Sequence, residues 1–387
     1  MTPAMNRETI YFDYAAATPL DERVFVAMQP YFKEKFFNPS SPYLPAKAIR
    51  NDVESARATI AKHLGAKPGE IIFTAGATES INIALCGVLQ IGEHVVTSAI
   101  EHSAVLETAK QFPHTMVNPT KQGLITAEAV KKAITLKTKL VSIVLADSEL
   151  GNVQPLRDIS QIIKQERQNR LKKDDQTPLY FHTDASQCVG LLDIAVSRLG
   201  VDMLTLNAGK VYGPKQTGIL WAASNVAIEP FIQGGGQERG IRSGTENVAG
   251  VIGFARAMDI AVKSRKAEAE RLEKLRTALQ TELEQEFPEV VISGHKKRRL
   301  PNFLHVAWPD IDAERVLFLL EAENVLVATG SACAANSGTR SHILEAIGMN
   351  ATTADGSLRI TLGRFTKEED IKKGAKAIIA AVKKEQA

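Results

Sequence analysis

Leu179-Tyr180-Phe181-His182-Thr183-Asp184 and Met203-Leu204-Thr205-Leu206-Asn207-Ala208-Gly209-Lys210 are two short, mainly apolar runs, each closing on a charged residue. Within them, Leu179–Thr183 and Met203–Leu206 suit strands covered on both faces, as in a parallel sheet. Asp184 and Lys210 then fall at or just beyond C-terminal strand ends, the edge where open α/β sheets bind ligands. Lys210 follows Asp184 by 26 residues. That leaves room for one helix and the next strand, so both side chains can meet at one sheet edge. A buried unpaired carboxylate is costly, so Asp184 needs a cationic partner. Taken alone, it reads more readily as the N-cap of the next helix. A lysine among glycines directly after a strand is a Schiff-base candidate, because desolvation can hold its amine neutral. An Asp facing a pyridinium nitrogen, with a lysine on an aldehyde carbon, is the pair that pyridoxal phosphate requires. Lys215, beyond Gly213-Pro214, reads as a turn residue.

Outward from this pair the same texture continues. Further strands are expected at Glu70–Thr74, Glu93–Ser98, Leu140–Leu145 and Gly218–Ala222, with helical stretches between several of them. This pattern predicts an α/β fold with a largely parallel sheet. Near residue 255 the texture changes. Asp259 to Phe287 reads as one helix with Leu272, Leu275, Leu279 and Leu283 on one face, stopped by Pro288. Strand-like segments at Val290–Ser293, Phe303–Ala307 and Leu358–Leu362 follow, with a helix at Ala313–Glu323. A last helix is expected behind a capping box, Thr366 to Glu369, with Ile371, Ala375, Ile378 and Val382 facing the core. The expected division is a large α/β domain over residues 16–258 and a smaller α+β domain over 259–387 that also takes residues 1–15.

Composition excludes several classes. The 387 residues are 44% hydrophobic and 24% charged, with 47 Lys+Arg against 44 Asp+Glu. These are the proportions of a soluble globular chain, not of a disordered one. No apolar run approaches the ~20 residues of a membrane span, and Met1 to Thr9 carries no secretory h-region. Three unpatterned cysteines point to a reducing, cytoplasmic setting and leave a free thiol to explain. A net charge of +3 gives no general case for nucleic-acid binding. The basic run His295-Lys296-Lys297-Arg298-Arg299 reads first as an exposed loop, and Lys164 to Lys173 as a solvated helix face and loop.

Two further segments carry chemistry. In Ile71-Ile72-Phe73-Thr74-Ala75-Gly76-Ala77-Thr78-Glu79 a strand enters a tight small-residue turn and then a helix. The free N–H groups there, with the Thr78 hydroxyl, suit a phosphate. Without P-loop or dinucleotide glycine spacing, the segment alone reads more readily as a capped βα turn. Thr329-Gly330-Ser331-Ala332-Cys333-Ala334-Ala335-Asn336-Ser337-Gly338-Thr339 is a small-residue loop around one cysteine. It has little side-chain mass to pin it, so mobility is expected. Cys86 and Cys188 lie in apolar settings and read as structural thiols.

With these segments in order, the chain resembles the cysteine desulfurases, in the class V aminotransferase group of fold-type-I pyridoxal-phosphate enzymes. The resemblance runs from Tyr11-Phe12-Asp13-Tyr14-Ala15-Ala16-Ala17-Thr18-Pro19 to Ser357-Leu358-Arg359-Ile360-Thr361-Leu362-Gly363-Arg364-Phe365. It implies that Lys210 bonds the cofactor's aldehyde carbon and that Asp184 keeps the ring nitrogen protonated. By the same resemblance Gln187 meets the phenolic oxygen, and Ala77 and Thr78 hold the phosphate. His102, in Glu101-His102-Ser103, matches the histidine that stacks on the ring and shuttles protons. Taken alone it would pass for a structural histidine. Thr245 matches a phosphate ligand donated across a homodimer interface, and Asn38 and Arg359 match the groups that hold the substrate carboxylate. Cys333 matches the nucleophile that takes sulfur from L-cysteine as a persulfide, leaving alanine. The implied acceptors are proteins of iron–sulfur cluster assembly or tRNA thiolation. No intrinsic metal, membrane or direct nucleic-acid partner is implied, and Cys333 would at most ligate a cluster transiently with a scaffold protein.

The chain departs from the family pattern in places. Asn207 and Gly209 stand where Ser and His usually contact phosphate, and Ser148 replaces an asparagine near the phenolic oxygen. Asn38-Pro39-Ser40-Ser41-Pro42-Tyr43 lacks the histidine that often follows this run. Two other readings share the scaffold. One is a selenocysteine lyase or cysteine-sulfinate desulfinase, less dependent on Cys333. The other is a degenerate scaffold for sulfur acceptors. Joint retention of Lys210, Asp184, His102, Arg359 and Cys333 argues against the latter.

Overall fold

The structure is a computed structural model and describes residues 9–329 and 340–386. Thirteen strands are found among them: β1 Ile10–Tyr11, β2 Ile71–Thr74, β3 His94–Ser98, β4 His114–Val117, β5 Thr138–Ser142, β6 Tyr180–Asp184 and β7 Met203–Asn207, then β8 Gly218–Ala222, β9 Val291–Ile292, β10 Phe303–Ala307, β11 Val325–Leu326, β12 Ala328–Thr329 and β13 Ser357–Thr361. Seven of them form one sheet in the order β2-β8-β7-β6-β5-β3-β4. Only β8 runs against its neighbours; the others run parallel, as double-sided burial of their apolar runs requires. Strands β2, β3, β8 and most of β5 to β7 are buried along their length. The edge strand β4 was not legible in the sequence. His114-Thr115-Met116-Val117 is half exposed, so no continuous apolar run marks it.

The sheet is filled from both sides. One apolar cluster gathers Phe73, Val141, Phe181, Leu204 and Ile219 with helix Leu44–Leu64 and the first third of a long helix. The other packs Ile72, Val95, Leu140 and Leu220 under helices Ala77–Cys86 and Ser103–Ala109. A third core lies in the C-terminal part. There a four-stranded antiparallel sheet, β12-β13-β10-β9, packs on helices Ala313–Ala322 and Glu368–Gln386. The N-terminal strand β1 pairs with β11, and its follower Phe12 is fully buried in that same core.

The expected helix at Asp259 begins earlier: one helix of 39 residues spans Val248–Glu286. Its opening, Val248-Ala249-Gly250-Val251-Ile252-Gly253-Phe254, is buried on most sides and so carries no polar stripe to mark a helical period. Ala249 to Ala261 pack in the large core, and Leu272, Leu275, Leu279 and Leu283 in the C-terminal one. The expected capping box also differs. Thr366 accepts from Gly363 N at 3.0 Å, while Asp370 takes the Lys367 N–H at 2.8 Å.

Candidate active site

The C-terminal ends of β2, β3, β5, β6 and β7 come together at one edge of the large sheet, and the residues singled out above follow from them. Asp184 ends β6 and stands in register with Thr205 of β7. Two residues beyond Thr205, Asn207 begins a short 3-10 turn that delivers Lys210. The N-terminal stretch closes over this turn. Thr18 donates from N and Oγ1 to the Gly209 carbonyl at 3.2 and 3.1 Å, and Tyr212 N donates to Thr18 Oγ1 at 2.7 Å. Lys210 Nζ donates to the carbonyls of Ala15 (2.6 Å) and Ala16 (2.7 Å). Gln187 Nε2 donates to the same Ala15 carbonyl at 3.0 Å. The lysine and glutamine expected to serve one ligand thus converge on one backbone oxygen.

Asp184 is buried and accepts from Ser186 N at 2.9 Å. His102 N-caps helix Ser103–Ala109, its Nδ1 accepting from Ala104 N at 3.1 Å. That bond leaves the ring proton on Nε2 when the imidazole is neutral. The side chain is exposed, yet desolvation by the packed groups around it lowers its pKa. The charges of Lys210 and His342 push the same way, and Asp184 opposes them.

Glu101, which sequence reasoning passed over, lies fully buried beneath this turn. Its Oε1 accepts from Ser98 Oγ (2.5 Å) and Val144 N (2.8 Å), while Oε2 is buried without a partner. Desolvation, reinforced by Asp184 and Asp147, pushes its pKa up to about 8, so it carries a proton at neutral pH. The only signal in the sequence was its place beside His102 at a strand-to-helix turn. Asp147 shapes the neighbouring loop by accepting four backbone N–H groups, from Glu149, Leu150, Gly151 and Asn152, at 2.6–3.2 Å. Ser148, in that loop, presents its carbonyl to Arg359 Nη1 at 3.0 Å. Arg359, buried on β13, also gives Nη2 to Asp13 Oδ1 at 2.8 Å. It therefore joins the N-terminal stretch, the Ser148 loop and the C-terminal sheet.

A cavity of about 620 Å³ opens beside Lys210, lined by Ala16, Gly76, Ala77, Thr78, Asn207 and Gly209 among others. Gly76 caps helix Ala77–Cys86 without any side-chain hydrogen bond, so the leading N–H groups of Ala77 and Thr78 remain available to a ligand. Asn207 turns its Oδ1 inward, onto Gly209 N at 3.0 Å. Both backbone groups of Gly209 are therefore engaged within the chain, its N–H by Asn207 and its carbonyl by Thr18. A buried carboxylate, an amine and an uncapped helix start along one edge are the donor set that pyridoxal phosphate needs, and the residues present fit that group.

Two expected residues stand apart. Asn38 is on an exposed loop, its Oδ1 accepting from Ser40 N at 2.9 Å, and Thr245 is exposed; neither lines the cavity with Lys210. Cys333 lies outside the described residues. The chain leaves for that segment from Thr329 on β12, where Ala328 pairs with Arg359, and returns at Arg340. Two residues later, His342 Nε2 bonds the Glu101 carbonyl at 2.9 Å. Cys188 is fully buried, its thiol pushed up by burial, and Cys86 is partly buried. Among the described residues no group of three or more His, Cys, Asp or Glu could hold a metal ion, and no helix is long and apolar enough to cross a membrane.

Residues 10–373 match the family described as aminotransferase class-V. The cysteine desulfurase IscS of Dictyoglomus turgidum is 42% identical over 376 residues, covering 95% of this chain and 92% of its own. The cysteine desulfurase IscS 1 of Archaeoglobus fulgidus is 38% identical over 370 residues, covering 93% and 94%. Among solved structures, a NifS-like protein superposes with a TM-score of 0.88 at 35% identity, covering 97% of this chain and 99% of that one.

Proposed function

The chain belongs to the aminotransferase class-V family, and from that premise we propose that it is a pyridoxal-phosphate cysteine desulfurase whose sulfur leaves on Cys333. The observation that carries the reading is the convergence of Lys210 and Gln187 on one carbonyl, on the strand end beside Asp184. Bound there, the cofactor supplies an aldehyde carbon that condenses with amines and a protonated ring that accepts electron density.

The chain's own groups do the rest. Asp184 keeps a ring nitrogen protonated from its buried place at the end of β6. The amides of Ala77 and Thr78, with Asn207, would hold the phosphate, and Ser148 and Gln187 would serve the phenolic oxygen. Arg359, already oriented by Asp13 and the Ser148 carbonyl, would offer its guanidinium to the substrate carboxylate, a role that the family resemblance alone extends to Asn38 on its exposed loop. With the cofactor bound, Lys210 would be the base for the Cα proton, and neutral His102 would pass protons at the same site. The Cys333 thiolate forms a bond to the substrate sulfur as the C–S bond breaks. The net change converts L-cysteine and a protein thiol into alanine and a protein persulfide.

Thr245 is exposed and lines no part of its own chain's cavity. By the family resemblance it serves the phosphate of a second copy in a homodimer, and its exposure is compatible with that role. The exposed side chains of Phe25, Phe32, Phe36, Tyr43 and Leu44 support such an interface. The persulfide goes to acceptor proteins for iron–sulfur cluster assembly or tRNA thiolation in the cytoplasm. The test is a single turnover with L-cysteine and no reductant, reading alanine and the Cys333 peptide by mass spectrometry. Alanine formed in step with a persulfide on Cys333 is expected. A loaded cofactor with neither product would refute the reading. Cysteine turnover unaffected by Cys333→Ser would favour the desulfinase or lyase reading.

A further inference from the structure

The cavity holds a second lysine that the roles above leave unused. Lys215 lines it together with Lys210, Gly76, Thr78, Asn82 and Gln216. The strand pair β7–β8 returns the chain so that Ala208 N donates to Thr217 O at 3.0 Å, and Gly213 N donates to Ala208 O at 3.0 Å. Pro214 then leads into Lys215, so the Lys215 backbone is fixed by the same turn that delivers Lys210. Its side chain passes over Gly209. A Cβ built at Gly209 would meet Lys215 Cγ at 3.7 Å and Asn207 Oδ1 at 3.4 Å. No side chain at position 209 stands between the lysine stem and the cavity.

Charge and strain point the same way. Glu79 is the acid of the cavity lining, and both its oxygens are taken, by Arg242 Nε at 2.8 Å and Ala75 N at 3.2 Å. Lys215 makes no ion pair with any described residue. Gln216, directly after it, has φ +56°, a left-handed conformation that non-glycine residues adopt at a cost. Strained backbone of this kind concentrates where a ligand is held.

We propose that Lys215 is a cationic ligand of the cofactor phosphate, closing the side of the cavity where Gly209 offers neither side chain nor free backbone. The role rests on the pyridoxal-phosphate reading. A phosphate dianion between an uncapped helix start and an ammonium group gains charge-assisted hydrogen bonds from both. An ammonium on a flexible stem serves as a point charge for phosphate, with no fixed fork geometry required.

The test uses full-length holoenzyme, wild type and the variants Lys215→Met and Lys215→Arg. Cofactor release on dilution is followed by absorbance, and the proteins are reloaded with either pyridoxal phosphate or pyridoxal. Lys215→Met is expected to hold pyridoxal phosphate about ten- to a hundred-fold more weakly, the range of one charge-assisted hydrogen bond, with pyridoxal affinity unchanged. Lys215→Arg should stay within a few-fold of wild type. Unchanged affinity for pyridoxal phosphate, or equal losses for both compounds, would overturn the assignment. Wild-type protein that takes up neither compound would sink the cofactor reading, and the Lys215 role with it.

Discussion

Replacing Gly218 by alanine tests whether the turn before helix Ala77–Cys86 is held in place by backbone packing. Gly218 opens β8 and pairs with Thr74 on one side and Asn207 on the other. A methyl group there would lie 2.6 Å from the Gly76 carbonyl carbon, 2.7 Å from Gly76 Cα and 2.9 Å from the Leu206 carbonyl oxygen. Carbon atoms pack at ~3.5–4.0 Å, so the shortfall against Gly76 is about 1 Å. All three atoms are backbone and cannot rotate away. Leu206 is fixed within the sheet between β6 and β8, so Gly76 must retreat. It carries with it the Ala77 and Thr78 amides that face the cavity. Overpacking of this kind costs ~1–3 kcal/mol in stability, and a displacement of about 1 Å in a ligand cradle costs on the order of 10²-fold in function. Cofactor affinity of the Gly218→Ala protein is therefore expected to fall at least tenfold, alongside a loss of denaturant stability. Gly65→Ala is the control. Gly65 has φ +65° with no atom within 4 Å of the added carbon, so it tests backbone strain without a clash. It should lose ~1 kcal/mol of stability and keep its cofactor affinity. Wild-type cofactor affinity in Gly218→Ala, or equal weakening in the control, would refute the reasoning.

Glu101→Gln keeps the shape of a protonated carboxyl and cannot ionise. Because burial raises the Glu101 pKa from 4.5 to about 8, the native protein loses stability from this group as pH rises from about 4.5 through about 8. The variant should lack that part of the loss, and parallel pH–stability curves for the two proteins would count against it. Arg359→Lys removes the fork that reaches Asp13 and the Ser148 carbonyl together. It should raise KM for cysteine about tenfold or more, read from steady-state alanine formation. Glu238→Ala removes two 2.8 Å contacts from Arg57, leaving it Glu54 and the Ile71 carbonyl, and frees Phe73 N. A loss of ~1–3 kcal/mol is expected in chemical denaturation, because the guanidinium is mostly buried and keeps only the more exposed Glu54 as a counter-charge.

Local patterns were legible because they need only neighbours in sequence. The runs at 71–74, 179–184, 203–206 and 218–222 are apolar since both faces of the sheet are covered. That alone placed Asp184 and Lys210 at one edge; the helix start at Ala77 joined them only through the family resemblance. The edge strand His114–Val117 and the opening of helix Val248–Glu286 escaped for the opposite reasons, partial exposure in one and burial on most sides in the other. What only the tertiary structure decided are contacts between distant residues. The Ala15 carbonyl that gathers Lys210 and Gln187, and the Asp13 carboxylate that orients Arg359, lie 172 to 346 residues from their partners along the chain. The proton on Glu101 depends on burial by several elements and on Asp184 and Asp147 nearby. Lys215 read as a turn residue until the fold set it over a glycine beside the cavity. Periodicity is a property of successive residues. Desolvation and charge at a site depend on everything packed around it, and that is fixed only when the sheet closes.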